Sequence, residues 1–543
     1  MIALTIIQTN LDRCRKCYAC VRACPVKTIS ISNGLPDIKE DGCIKCGRCI
    51  SACSIGAKMV NDESLVVQNW IAHGDKVAAL VAPSFVADFN PPLAPGLFRK
   101  LGFSKVYEVA YGAEICTLEY KKLFKEDLHQ TLISTPCPAI VQLVEKHFTG
   151  LIEYLAPIDS PMIIQAKIVK EALPHYKTVF IGPCIAKKHE AKNGEQKNIV
   201  DAVITFKQIK KWIEALDLDV STVEKVSWDS PGAGLARSFP ISGGLLKTAG
   251  IAENVAAMDV VITEGAKKCI EVLKAIETGD FAPKFVDMLA CEGCITGPEM
   301  ISNAPYVTKA GLVAKYIQSN SDHHIQLKEF SSNINFRRTF TAKPIKRKKY
   351  TDAQIWEVLK STGKYSEDDL INCGACGYDT CWEKAVACFE GMAENEMCLP
   401  YLLMQVPSIK QNLEKISNEL MASIESVHFA MLTIKTTSKQ ISEKDKLLQE
   451  LVDDLKDIFT AIPNIKSEEI SEDLIKQLNA VETKENLNKI TKILSEIRKE
   501  NMVVMEQEQA ITKVASSLEQ IVATYQQLVT LGSALANISR NYS

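Results

Sequence analysis

Cys14, Cys17, Cys20 and Cys24 stand at C-x2-C-x2-C-x3-C spacing with Pro25 behind the last, and Cys43, Cys46, Cys49 and Cys53 repeat the spacing without the proline. Such spacing lets a tight loop present three thiolates to three corners of a cubane while the fourth ligand arrives from the other motif. Cys14, Cys17, Cys20 and Cys53 are therefore assigned to one 4Fe-4S cluster, and Cys24, Cys43, Cys46 and Cys49 to a second. Zinc or unligated thiols are the bland alternative, and eight cysteines at a doubled spacing argue against it. Two cubanes held this way lie close enough for electron hopping, which makes the first 60 residues a wire that needs a terminus.

Four more cysteines supply a candidate terminus. They lie in Thr135-Pro136-Cys137-Pro138, in Gly182-Pro183-Cys184-Ile185-Ala186-Lys187 and in Leu289-Ala290-Cys291-Glu292-Gly293-Cys294. Each segment follows a short apolar run, so each thiolate can sit at a strand end or helix start, where backbone amides favour an anion. Together they suit a third cubane. Cys373, Cys376, Cys381 and Cys398 form a last set at C-x2-C-x4-C-x16-C spacing, with Gly374 and Gly377 for tight turns and a helix from about Trp382 to Ala393 to return Cys398. A cubane is favoured there over zinc. Four sets of four take 16 of the 19 cysteines. Cys116, Cys269 and Cys388 remain and read as packing thiols.

The elements that must position these residues fall into four regions. Residues 1–62 are the cysteine-rich wire. Residues 63–335 alternate short apolar runs (77–82, 177–182 and 258–263) with helical stretches, which argues α/β architecture with parallel strands and ligands at the strands' carboxyl ends. Residues 350–404 form a small cysteine-rich unit. Residues 405–543 carry apolar positions at threes and fours, from Ile409, Leu413 and Ile416 through Val427, Met431 and Ile434 to Ile511 and Val514. That pattern predicts two long helices joined by a shorter helical link after Pro463, as an intramolecular bundle or a coiled coil that makes a homodimer. Between the third and fourth cysteine sets, Arg337, Arg338, Lys343, Lys346, Arg347, Lys348 and Lys349 surround Pro344 and read as a solvated linker.

The 543 residues exceed one core, and a net charge of −3 gives no reason to expect nucleic acid as a partner. No run of 18 apolar residues predicts a membrane span, and no signal peptide is evident. An odd count of 19 cysteines, with thiolates needed as ligands, predicts a reducing, cytoplasmic setting.

The N-terminal region resembles bacterial two-cluster ferredoxins. The order of the three central segments resembles the signature motifs of FeFe hydrogenases, over about residues 1–330. That resemblance implies a two-lobed H-cluster domain in which Cys137, Cys184, Cys291 and Cys294 hold a cubane. Cys294 would bridge to a two-iron subcluster carrying CO, cyanide and a dithiolate. It further implies that Lys187 donates to one cyanide, that Ala82-Pro83-Ser84 faces the other, and that Glu190 is the motif glutamate. The unit at Cys373–Cys398 resembles the small 4Fe-4S domain of corrinoid iron–sulfur proteins and of some redox sensors.

The chain also departs from the hydrogenase pattern. Pro136 stands where the family has a proton-donating cysteine. Tyr120 and Leu123 stand at the offsets of two relay glutamates behind Gly112-Ala113-Glu114, and Ala156 falls at the relay serine. Gly182 and Leu289 replace two methionines, with Gly182 expected to leave space beside the cofactor. The last motif is one residue short, C-x2-C. Each lost acid–base group costs about 10²–10⁴-fold in rate. Glu114, Glu119 and Cys116 are candidates for a substitute relay. These departures, the extra cluster unit and the helical tail resemble the sensory branch of the family. The expectation is a low-turnover H2 or redox sensor that handles H2 and protons and exchanges electrons with a redox partner protein. It would signal to a kinase or phosphatase. An ordinary turnover hydrogenase and an iron–sulfur scaffold that lacks the two-iron subcluster are the alternatives.

Overall fold

The computed structural model describes residues 5–125, 131–251, 259–320, 334–345, 348–461 and 481–542. The chain divides into two compact units, Met1–Cys398 and Leu399–Ser543.

At the start of the first unit, Ile7–Thr9 pairs antiparallel with Lys58–Val60, and Ile29–Ser32 pairs with Leu35–Ile38. The second pair turns at Asn33 and Gly34, both at positive φ (52° and 73°), which matches the right-handed strand twist. Short helices Ala19–Ala23 and Arg48–Ser51 follow the first two cysteines of each motif and carry the third, Cys20 and Cys49.

Two parallel sheets form the central region. One runs in the order Lys105–Glu108, Val77–Val81, Lys177–Ile181, Ala202–Ile204. Its central strand is buried on both faces from Val77 to Val81, which is why it reads as a continuous apolar run. The other sheet runs Val260–Glu264, Phe285–Leu289, Leu132–Ile133. Each sheet has its own apolar core, one around Phe85, Phe98 and Phe206 and one around Ile140, Leu143 and Met288. The expected α/β layout of parallel strands and helices is the one observed. Met258 of the third apolar run, together with Lys346 and Arg347 of the basic run, lies outside the described residues.

The basic run corrects the sequence reading where it is described. Arg338 N–H donates to Pro157 O at 3.2 Å, Lys343 pairs with Glu145 at 2.8 Å, and Asp159 N–H donates to Phe336 O at 2.8 Å. This stretch is a strap on the central region, because its cations find buried carboxylates that sequence spacing does not reveal. The helix of the last cysteine set spans Cys381–Phe389, shorter than expected, because Gly391 at φ 69° turns the chain.

In the second unit, helices Leu399–Ala461 and Val481–Tyr542 run antiparallel. Met431 meets Thr512, Ser438 meets Asn501, and Asp445 meets Arg498. The first helix starts earlier than the residue 405 read from sequence, because Pro400 is tolerated in a first turn. The helical link expected after Pro463 falls outside the described residues. Among the described residues no helix is long and apolar enough to cross a membrane.

Candidate metal centre

The eight N-terminal cysteines gather into two sets. Cys14, Cys17, Cys20 and Cys53 line one small cavity with Lys58. Cys24, Cys43, Cys46 and Cys49 are electrostatic neighbours of one another. Burial and the thiols nearby push Cys46 up to about 12. The fourth member of each set therefore comes from the other motif, as the spacing requires.

Cys137, Cys184, Cys291 and Cys294 converge from three loops. Cys184 follows strand Lys177–Ile181 and precedes helix Ala186–Lys192. Cys137 precedes helix Pro138–His147. Cys291 and Cys294 follow strand Phe285–Leu289. All four sit at carboxyl ends of parallel strands, where the sheets leave a crevice. Burial and the neighbouring cysteines raise Cys184 to about 11 and Cys294 to about 12. Four cysteine thiols gathered at one crevice are the donor set that a cubane takes, and binding one would displace their protons.

Beside Cys294 a cavity of about 100 Å³ lies between the two sheets. Ala82, Pro83 and Ser84 wall it from the end of Val77–Val81, Cys184 from the loop after Lys177–Ile181, and Lys187 from helix Ala186–Lys192. Ser84 is fully buried and its Oγ has no hydrogen-bond partner, although it lines this cavity. A buried hydroxyl without a partner carries a desolvation penalty that a ligand could relieve. Lys187 Nζ donates to Glu190 Oε2 at 2.7 Å, Ser160 Oγ at 2.8 Å and Pro136 O at 3.3 Å.

Glu190 is absent from the cavity wall. It accepts from Lys187 and, at 2.8 Å, from Arg338 Nη1. Burial pushes its carboxyl up, but the two cations outweigh burial and hold it below its ordinary value. Glu190 therefore positions Lys187. Arg338 and Ser160 complete the network and were not read from sequence as site residues. Asp287 was missed as well, although an acid inside the apolar strand Phe285–Leu289 is a visible signal. It lines the cavity, its Oδ1 accepts from Ser134 Oγ at 2.9 Å, and burial raises it to about 6.

The space expected beside Gly182 is filled. A Cβ there would lie 2.8 Å from the Phe180 ring and 2.9 Å from Ala82 Cβ, and Phe180 itself lines the cavity. Of the three candidate relay residues, none lines it. Cys116 is buried with Sγ donating to Asp159 O at 3.6 Å, Glu119 pairs with Lys122, and burial raises Glu114. Tyr120, Leu123 and Ala156 are all buried in one apolar cluster.

The cysteine sets lie against one another. Gly47, between Cys46 and Cys49, lies against Pro298 and Ile185, the neighbour of Cys184, and Cys46 and Cys291 are electrostatic neighbours. Lys146 Nζ from the central region donates to Cys43 O at 2.8 Å. Toward the last cysteine set, Arg22 Nη1 donates to Ala375 O at 3.2 Å, Lys27 Nζ to Gly377 O, and Glu394 accepts from the amides of Asn33 and Gly34. Tyr378 is buried there with Cys24 and Cys376 as electrostatic neighbours. Cys376 in turn neighbours Cys373 and Cys398, and Cys381 opens its helix. Cys269 and Cys388 are packed in helices Ala266–Thr278 and Cys381–Phe389.

Residues 75–298 match the family described as iron only hydrogenase large subunit, C-terminal domain. Residues 6–54 match the 4Fe-4S dicluster domain, and residues 371–400 match a family described as "Putative Fe-S cluster". The NADP-reducing hydrogenase subunit HndD of Solidesulfovibrio fructosivorans is 25% identical over 299 residues, 46% of this chain and 51% of that one. The periplasmic [Fe] hydrogenase large subunit of Nitratidesulfovibrio vulgaris is 24% identical over 37% of this chain and 60% of its own length. The chain thus spans about half to three-fifths of these two relatives. The cytosolic Fe-S cluster assembly factor NAR1 of Kluyveromyces lactis is 30% identical over 127 residues, 22% of this chain and 27% of NAR1. Solved structures of [FeFe]-hydrogenase HydA1 from Chlamydomonas reinhardtii align over their full length and 52% of this chain, at 18% identity and a TM-score of 0.42.

Proposed function

We propose, on the premise that residues 75–298 are an FeFe hydrogenase-family domain behind a 4Fe-4S dicluster module, that this iron–sulfur redox protein is a low-turnover H2 or redox sensor. The observation that carries the reading is one cavity that joins Cys294, Lys187 and the unpartnered Ser84 hydroxyl. A two-iron group with CO, cyanide and a dithiolate bridge would be held there by Cys294 from the cubane of Cys137, Cys184 and Cys291. Such a group supplies an open iron position at which H2 is split or formed.

The chain's own residues supply the rest. Lys187, fixed by Glu190 and Ser160, offers positive charge to an anionic ligand, and Ser84 Oγ offers a hydrogen bond. Phe180, Leu289 and Pro136 keep water from the wall. No carboxyl, thiol or serine hydroxyl stands at the four relay positions, where Pro136, Tyr120, Leu123 and Ala156 are found. In this reading the interrupted relay makes proton supply slow, with Asp287 the carboxyl on the cavity wall, and the cysteine sets report a redox state rather than carry a heavy current. The homodimer, the kinase or phosphatase partner and the cytoplasmic setting belong to the same proposal. The tail's exposed Phe429, Leu432 and Leu447 leave apolar surface for a second copy.

The similarity to NAR1 favours a second reading, an iron–sulfur scaffold without the two-iron subcluster. Matured protein separates the readings. H2 turnover within about tenfold of ordinary family members would sink the sensor. Lys187→Met should weaken retention of the two-iron group, and unchanged infrared bands in that variant would refute the role given to Lys187.

A further inference from the structure

Lys364 lies just after the turn at Gly363, behind helix Asp352–Ser361. Its side chain is 5% exposed. Nζ donates to Thr362 O at 3.2 Å, Thr362 Oγ1 at 3.2 Å and Cys398 Sγ at 3.3 Å. Lysines are seldom buried this far unless paired with an acid. No carboxylate lies within ion-pair distance of Lys364 among the described residues. Asp369, an electrostatic neighbour, spends its carboxylate on the amides of Tyr365 and Ser366 and on Ser366 Oγ. Lysines beside the other cysteine sets bond oxygens instead: Lys58 reaches Thr9 Oγ1, Lys146 reaches Cys43 O, and Lys27 reaches Gly377 O.

An ammonium without an acid needs another anion. An all-thiolate cubane is anionic in both redox states and gains one negative charge on reduction, and its potential follows net charge and hydrogen bonds to its sulfurs. Lys384, also buried, is an electrostatic neighbour of Cys376 but spends its Nζ on Asn395 Oδ1; we infer that Lys364 is a potential-setting residue of a cubane held by Cys373, Cys376, Cys381 and Cys398, favouring the reduced state through its contact with Cys398. The inference rests on the reading of these four cysteines as cluster ligands. It deepens the sensor proposal, since Cys398 immediately precedes Leu399, where the long helix begins. Lys364 thus sets the potential at the ligand from which that helix departs.

The test is an anaerobic redox titration of the full-length, cluster-loaded chain, followed by electron paramagnetic resonance. The signal of this cubane is the component lost in Cys373→Ala. Lys364→Gln and Lys364→Met should lower its reduced-to-oxidised ratio at fixed potential at least tenfold, about 59 mV for one electron. Lys364→Arg should keep the midpoint near wild type. Should Lys364→Met lose iron, the Gln and Arg pair decides. Wild-type midpoints in iron-replete Gln and Met chains would overturn the inference, and so would an Arg variant that falls as far as Gln. A Cys373→Ala chain that keeps every signal and all its iron would overturn the cluster reading and the inference together.

Discussion

Tyr120 and Thr135 close on one another in the interior of the central region. The Tyr120 hydroxyl lies 3.0 Å from Thr135 Oγ1 and accepts from Thr135 N–H at 2.8 Å. Thr135 Oγ1 is also within hydrogen-bond reach of the carbonyls of Ala156 and Ile158, at 2.9 and 3.1 Å. The phenol is fully buried, and burial raises it far above its ordinary value. A group that neither gains nor loses a proton near neutral pH stands where the resemblance places a relay glutamate.

Restoring one relay group alone should therefore change little. Tyr120→Glu in matured protein is expected to leave H2 turnover within about tenfold, since Pro136, Leu123 and Ala156 still interrupt the route. Pro136→Cys, Tyr120→Glu, Leu123→Glu and Ala156→Ser combined should raise turnover at least about 100-fold. A folded combined variant at the wild-type rate, measured by H2 evolution, would show that the missing relay is not what limits the rate.

Arg338→Met removes one of the two cations that hold Glu190 ionised. Glu190 is 2% exposed on its side chain and Arg338 11%, so the loss of this pair should cost about 3 kcal/mol. The sign with pH follows from the depressed carboxyl. Its stabilisation is present above the unfolded value near 4.5 and is lost as pH falls through the folded value. The variant should lose near-UV circular dichroism at a higher pH than wild type. Identical acid profiles would show that Arg338 does not act on Glu190.

Gly377 has φ 99°, and a Cβ there would lie 3.0 Å from Val21 Cγ1 and 3.1 Å from Arg22 N. Gly377→Val should cost about 1–2 kcal/mol in backbone strain and push the Cys373–Cys398 unit off the N-terminal wire. Iron content should hold while magnetic coupling between neighbouring cubanes weakens in electron paramagnetic resonance. Unchanged coupling would place the electron route elsewhere.

Much of this was readable from residue order. The ligand sets rest on short local spacing, and the strands at 77–81 and 177–181 were legible because a strand buried on both faces is a continuous apolar run. What stayed hidden depends on distant pairing. Arg338 and Lys343 look solvated until Glu190 and Glu145 are brought to them. Gly182 reads as vacant space until Phe180, two residues earlier at the end of strand Lys177–Ile181, is seen to turn its ring there. Asp287 was passed over because apolar periodicity finds a strand without saying which end meets a cavity.

The helical tail has its own test. Full-length protein should sediment as a dimer, and deletion of residues 405–543 should return one chain per particle. A full-length monomer would leave the antiparallel helix pair as a purely intramolecular device.

The central claim is tested most directly by the infrared spectrum of matured, full-length protein with and without H2. The account predicts CO and cyanide bands that shift when H2 is added, alongside low turnover. Persistent absence of those bands from protein carrying all its cubane iron would contradict it and leave the scaffold reading in its place.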